Sequence, residues 1–148
     1  MPTDKFKIIL ADDDEDDCMF FREALDELSL STTLKTVFNG LELMNLLQSD
    51  FPNLPDVIFM DMNMPLKSGM ECLMELKEDD LLKEVPVIIY STSFNPEITA
   101  LLYERGAQYY IRKPANFSNI KSVITKAIYL IQKNDHFLPK KEEFVIHP

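Results

Sequence analysis

Short apolar runs alternate with amphipathic stretches along the chain. Lys7–Ala11 (KIILA), Asp56–Met60 (DVIFM) and Val87–Tyr90 (VIIY) are nearly continuous apolar segments, the pattern of strands buried on both faces. Leu34–Phe38 (LKTVF) and Gln108–Ile111 (QYYI) are less apolar and suit flanking strands. Between these runs the period becomes helical: Cys18, Phe21, Leu25 and Leu28 share one face, and Leu43, Met44 and Leu47 another. The spacing predicts a third helix over Gly69–Glu78 with Leu73 and Leu76 inward. A fourth opens at Asn95-Pro96-Glu97, with Ile98, Leu101 and Leu102 following. Asn at the N-cap and Pro at the first helical position both start helices: the amide side chain accepts a free N–H, and Pro lacks one. A fifth helix, from about Phe117 to Ile131, carries Ile120, Val123, Ile124, Ala127, Ile128 and Ile131 in one stripe. The order βαβαβαβαβα with short connections predicts an α/β domain, a parallel sheet covered by helices on both faces. The domain is expected over residues 1–132. Residues 133–148, with balanced charge and two prolines (Pro139, Pro148), are expected as an extended or partly disordered tail.

Composition narrows the function. A chain of 148 residues is one domain's worth, and 46% hydrophobic with 27% charged residues fits neither a disordered nor a fibrous protein. No apolar run approaches the ~18–20 residues of a membrane span, and the acids from Asp12 interrupt any signal segment, so a cytoplasmic protein is expected. Cys18 and Cys72 form no metal-binding or disulfide pattern and read as small buried apolar residues. Three glycines, Gly40, Gly69 and Gly106, exclude both the GxGxxG fingerprint and the GxxxxGK[ST] phosphate loop. A net charge of −10 argues against binding nucleic acid or an anionic membrane. Much of that charge is local, in Asp-Asp-Asp-Glu-Asp-Asp at residues 12–17.

In open parallel sheets, functional groups gather beyond the carboxyl ends of the strands. There the first strand delivers Asp12-Asp13-Asp14, the third Asp61-Met62-Asn63, the fourth Ser91-Thr92-Ser93 and the fifth Arg112-Lys113-Pro114. Crowded carboxylates repel unless a cation neutralises them, and an oxygen-only set without His or Cys selects a hard ion such as Mg²⁺. Such an ion leaves positions for phosphate oxygens, and Lys113 adds a second positive charge, so the cluster suits phosphoryl transfer. A calcium loop competes, because Asp12, Asp14, Asp16 and Glu23 fall at EF-hand positions 1, 3, 5 and 12. It fails at position 6, where Asp17 replaces the turn-forming glycine. Asp16 and Asp17 read as a solvated acidic helix start. Met60, Met62, Met64, Met70 and Met74 read as packing, and His136 and His147 as exposed residues without a role.

Four dispersed motifs resemble the receiver domain of two-component response regulators: the apolar strand ending in Asp12-Asp13, VIFMDMNMPLKSG around Asp61, VPVIIYSTS at Val85–Ser93, and YIRKP at Tyr110–Pro114. The resemblance covers roughly Lys7 to Leu130. It implies a (βα)5 doubly wound, flavodoxin-like sheet in the order 2-1-3-4-5. By position, Asp61 is implied as the phosphoacceptor. Asp12, Asp13, Asp61 and the Asn63 backbone carbonyl are implied as ligands of Mg²⁺, with Ser91 and Lys113 completing the site. Ser91 and Tyr110 are implied as a two-state switch. Thr92 and Tyr109 are the adjacent alternatives, and strand alternation sends Tyr109 and Tyr110 to opposite faces. Asn63 and Ser93 hold positions that modulate dephosphorylation in the family.

The implied partners are a sensor histidine kinase or histidine phosphotransfer protein and a downstream protein target, with the chain a monomer or weak homodimer. Phe137, Leu138, Phe144, Val145 and Ile146 could extend a dimer face. The chain is expected to carry no output domain and to act as a signalling receiver, not an enzyme. Two other readings are a phosphorylation-independent scaffold and a Mg²⁺-dependent phosphohydrolase of the haloacid-dehalogenase kind. Asp61-Met62-Asn63 lacks the second Asp that such hydrolases use as general acid.

Overall fold

The computed structural model describes residues 5–49, 53–134 and 138–148. The elements are β1 (Phe6–Ala11), α1 (Glu15–Asp26), β2 (Thr32–Val37), α2 (Gly40–Ser49), β3 (Val57–Met60), α3 (Gly69–Glu78), β4 (Val87–Ser91), α4 (Pro96–Glu104), β5 (Tyr109–Arg112) and α5 (Phe117–Asn134). A 3₁₀ turn at Lys141–Glu143 follows. The strands form one parallel sheet in the order β2-β1-β3-β4-β5, as the resemblance implied. Among the described residues no helix is long and apolar enough to cross a membrane.

Alternation of side chains along the strands builds a core on each face of the sheet. Ile9, Ala11, Ile58, Met60, Val87, Ile89 and Tyr110 pack with α2, α3 and α4. Ile8, Leu10, Val57, Phe59, Ile88, Tyr90, Tyr109 and Ile111 pack with α1 and α5. The whole predicted stripe of α5 is buried, each large apolar side chain contributing about 1.5–3 kcal/mol. Helix ends follow local chemistry. Asn95 Oδ1 accepts from the amides of Glu97 and Ile98 at the start of α4. At its end Gly106, at φ +94°, donates to the Tyr103 carbonyl while Ala107 donates to that of Leu102, a Schellman closure that needs left-handed backbone.

Three apolar residues lie differently from their sequence pattern. Ile98 is 42% exposed, because α4 packs through Thr99 and Leu102, one turn apart on the opposite edge of its stripe. Met74 is exposed on the outer side of α3, whereas Met60 and Met64 are buried. Phe38 lies beyond the end of β2 and is exposed, the strand instead beginning with Thr32 and Thr33 beside Phe6 and Lys7.

The larger difference is at the carboxyl terminus. Expected as an extended or partly disordered tail, residues 138–148 return to the sheet. Val145 forms a parallel bridge with Tyr110; the Tyr110 amide donates to the Phe144 carbonyl (3.0 Å) and the Ile146 amide to the Tyr110 carbonyl (2.9 Å). Phe144 and Ile146 are buried, and the Tyr103 hydroxyl donates to the Pro139 carbonyl at 2.8 Å. This explains why β5, whose sequence reads as a flanking strand, has Tyr109, Tyr110 and Ile111 buried. Phe144 and Ile146 therefore pack within the chain, and of the residues offered for a dimer face Leu138 is exposed. His136 and Phe137 lie outside the described residues.

Candidate functional site

The residues just past the strand ends are still held by the sheet. The Asp12 amide donates to the Val37 carbonyl (3.0 Å), Asp61 to Ala11 (2.9 Å) and Lys113 to Ser91 (2.8 Å). Their side chains are thereby fixed above the carboxyl edge by backbone bonds, the rigid placement that preorganised sites need. One carboxylate oxygen from each of Asp12, Asp13 and Asp61 lies within 4.8 Å of the others. Asp12 and Asp61 are buried and Asp13 is exposed.

Lys113 enters this cluster as its counter-charge. Its Nζ lies 2.6 Å from Asp12 Oδ2, 2.8 Å from Asp17 Oδ2 and 3.5 Å from Asp61 Oδ2, and 5.6 Å from the ring centre of Tyr90. Burial works against the ammonium, but the close ion pairs with Asp12 and Asp17 outweigh it and raise its pKa. Burial likewise pushes the Asp12 carboxyl up, to about 6, despite the opposing pull of Lys113 and the Asp14 amide. Asp12 Oδ1 accepts from the Asp14 amide at 3.0 Å. Oδ2 is enclosed; Lys113 is its ion-pair contact, but no well-directed hydrogen bond reaches that oxygen. An enclosed, under-bonded carboxylate oxygen beside two more carboxylates fits a hard divalent cation.

The segment after β3 is shaped around Asp61. Asp61 Oδ1 accepts from the Met62 amide at 2.7 Å and, at the limit of hydrogen bonding, from that of Asn63 at 3.5 Å. Leu66 adopts φ +69° and is 73% exposed. The chain then folds back so closely that a Cβ on Gly69 would collide with the Asp61 carbonyl oxygen and stand 2.8 Å from Met62 Cα. Any side chain there would displace the acceptor's own backbone.

Ser91 is fully buried at the end of β4, its Oγ 3.2 Å from Ser93 Oγ, while Thr92 is exposed. Tyr110 is buried on the α4 side of the sheet, its hydroxyl donating to the Ser93 carbonyl and its ring edge-on to Phe94 at 5.8 Å. Burial pushes its phenol pKa up, against hydrogen bonds with Ser91 and Ser93. Tyr109 occupies the opposite core, with α1 and α5.

The structure thus gathers Asp12, Asp13, Asp61 and Lys113, with Asn63 on the rim and Ser91 linked through Ser93 to Tyr110. Asp17, which the sequence presents as a solvated helix start, joins the site through its ion pair with Lys113, and Tyr90, to which the sequence assigns only a place in a strand, lays its ring beside the same ammonium. Asp17 sits in the first turn of α1, three residues after its N-cap Asp14. That spacing turns it toward the strand ends, a cue available in the sequence.

A carboxylate trio and a lysine at the carboxyl edge of a doubly wound parallel sheet fit an α/β protein that accepts a phosphoryl group. The family model described as the response regulator receiver domain matches residues 8–125, and the chain belongs to that family. Response regulator Rcp1 of Synechocystis sp. is 30% identical over 121 residues, which span 79% of this chain and 82% of Rcp1. The phosphorylated cyanobacterial phytochrome response regulator RcpA superposes with TM-score 0.78 at 34% identity, covering 93% of this chain and all of RcpA. The Mn²⁺-bound form of Rcp1 superposes with TM-score 0.75 at 28% identity, over 90% of this chain and 99% of that one.

Proposed function

We propose that Asp61 accepts a phosphoryl group from a phosphohistidine of a sensor histidine kinase or histidine phosphotransfer protein. The carrying observation is the asymmetry of its carboxylate: Oδ1 is tied to the Met62 amide, whereas Oδ2 faces the Lys113 ammonium. Oδ2 attacks phosphorus, the new O–P bond forming as the P–N bond breaks and the electron pair returns to the imidazole. Asp12, Asp13, Asp61 and the Asn63 backbone carbonyl would hold Mg²⁺, which supplies positive charge to the phosphoryl oxygens. Lys113 stays protonated and attracts one phosphoryl oxygen, and the Ser91 hydroxyl donates to another. Moving that hydroxyl disturbs its contact with Ser93 and hence the Tyr110 anchorage, which changes the α4–β5–α5 surface read by a downstream protein.

RcpA is named as a phytochrome response regulator, and this similarity supports a phytochrome-linked kinase as the donor. The reaction takes place in the cytoplasm. Acetyl phosphate with Mg²⁺ is expected to add one phosphoryl group to the wild-type chain by intact mass and none to Asp61→Asn. Addition to the variant at the wild-type rate would reject Asp61 as acceptor.

A further inference from the structure

The carboxyl-terminal segment occupies the outer edge of β5. The amide and carbonyl of Tyr110 are the groups an open edge would offer an incoming strand, and they are taken by Phe144 and Ile146. The seating is small and two-sided. Phe144 reaches the α4 side, its ring 5.2 Å from that of Tyr103, and Ile146 joins the core beneath α5. Two backbone bonds, which together make the single bridge, and two apolar side chains hold the segment, aided by Tyr103 on the Pro139 carbonyl and Lys126 on that of His147. Beside it, an open groove of about 320 Å³, lined by Phe94, Arg112, Lys113, Pro114, Val145 and His147, runs to the rim of the carboxylate site.

The geometry points to β5 as a strand-accepting edge that the chain fills with its own tail. When the tail leaves, the edge takes a short segment of a partner protein with the same chemistry: an aromatic residue, one intervening residue and a branched aliphatic, running parallel to β5. The backbone supplies affinity and the two pockets supply selectivity. The tail is the pattern for this ligand, because its residues already satisfy both sets of contacts. The inference stands on the seated segment and is independent of phosphorylation at Asp61.

The test uses the full chain and a fluorescent peptide with the sequence of residues 138–148. The double variant Phe144→Ala, Ile146→Ala empties the edge, and Ile146→Pro, which removes the amide that donates to Tyr110, serves as a second variant should the first not fold. The peptide is expected to bind the emptied variant at least about tenfold more tightly than wild type, where the tethered tail competes. Hydrogen exchange is expected to show that the amide protection of β5, lost in the variant, returns on adding peptide. Absence of binding to a folded variant, equal binding to wild type, or equal binding of a peptide with both apolar residues replaced by Ala would overturn the proposal. Light scattering showing twice the chain mass for wild type and a single mass for the variant would also overturn it, because the occupant would then be a second copy.

Discussion

Lys113 decides the electrostatics of the site. It is buried among Asp12, Asp17 and Asp61, so removing it leaves a group of enclosed carboxylates with no counter-charge. Loss of one member of a buried ion pair costs roughly 3–5 kcal/mol. Lys113→Met is expected to lose about 3 kcal/mol in chelator and less in Mg²⁺, since the cation replaces part of the missing charge. Urea unfolding under both conditions measures the difference, and equal losses would separate the lysine from the metal site. Cys72 illustrates a different consequence of burial. Its thiol, fully enclosed against the Gly40 carbonyl, is pushed up from 9.0 to about 11, chiefly by desolvation. The folded chain therefore holds that proton to higher pH than the unfolded chain does. The thiol's contribution to stability is complete below pH 9 and is lost as pH rises toward 11. Alkylation mapped by peptide mass at pH 8 is expected to leave Cys72 untouched in the folded chain and modified in denaturant.

At the scale of elements, α3 begins with a reciprocal cap. Ser68 Oγ accepts from the Glu71 amide and the Glu71 carboxylate from the Ser68 amide. Ser68→Ala is expected to cost about 1 kcal/mol in urea unfolding. The pair sits directly after the Asp61 segment, so the cap also fixes where that loop ends. Most elements are legible in the sequence because their period is local: the apolar runs of β1, β3 and β4 and the stripe of α5 depend on neighbours in the chain. The orientation of α4 was not, since a nine-residue helix has too few turns for Ile98 and Thr99 to be ranked by pattern alone. Lys113, Asp61 and Asp12 could be placed by strand ends. The membership of Asp17 depends on a bond spanning 96 positions, and only its first-turn location hints at it.

For the whole molecule, the tail is the part that a long-range contact specifies instead of a local pattern. Residues 138–148 contain no repeating period, and their fold is dictated by an edge that exists only after the sheet has formed. Its contribution to stability is nonetheless that of core residues. Phe144→Ala is expected to cost about 3 kcal/mol, the usual loss for a buried phenylalanine, whereas Leu138→Ala, at an exposed position, is expected to stay within about 0.5 kcal/mol. Equal effects of the two in denaturant titrations would contradict the seated arrangement.

The bridge between Val145 and Tyr110 also sets a concentration threshold. Three residues separate the end of α5 at Asn134 from Leu138, and so short a tether holds the tail near its edge at an effective concentration on the order of millimolar. A rival segment of equal intrinsic affinity, present at micromolar levels, would then occupy roughly one chain in a thousand. Each kcal/mol by which a change elsewhere in the chain weakens the tail multiplies the rival's share about fivefold. The edge therefore behaves as a ratio meter, reporting how firmly the tail is held and not simply how much partner is present.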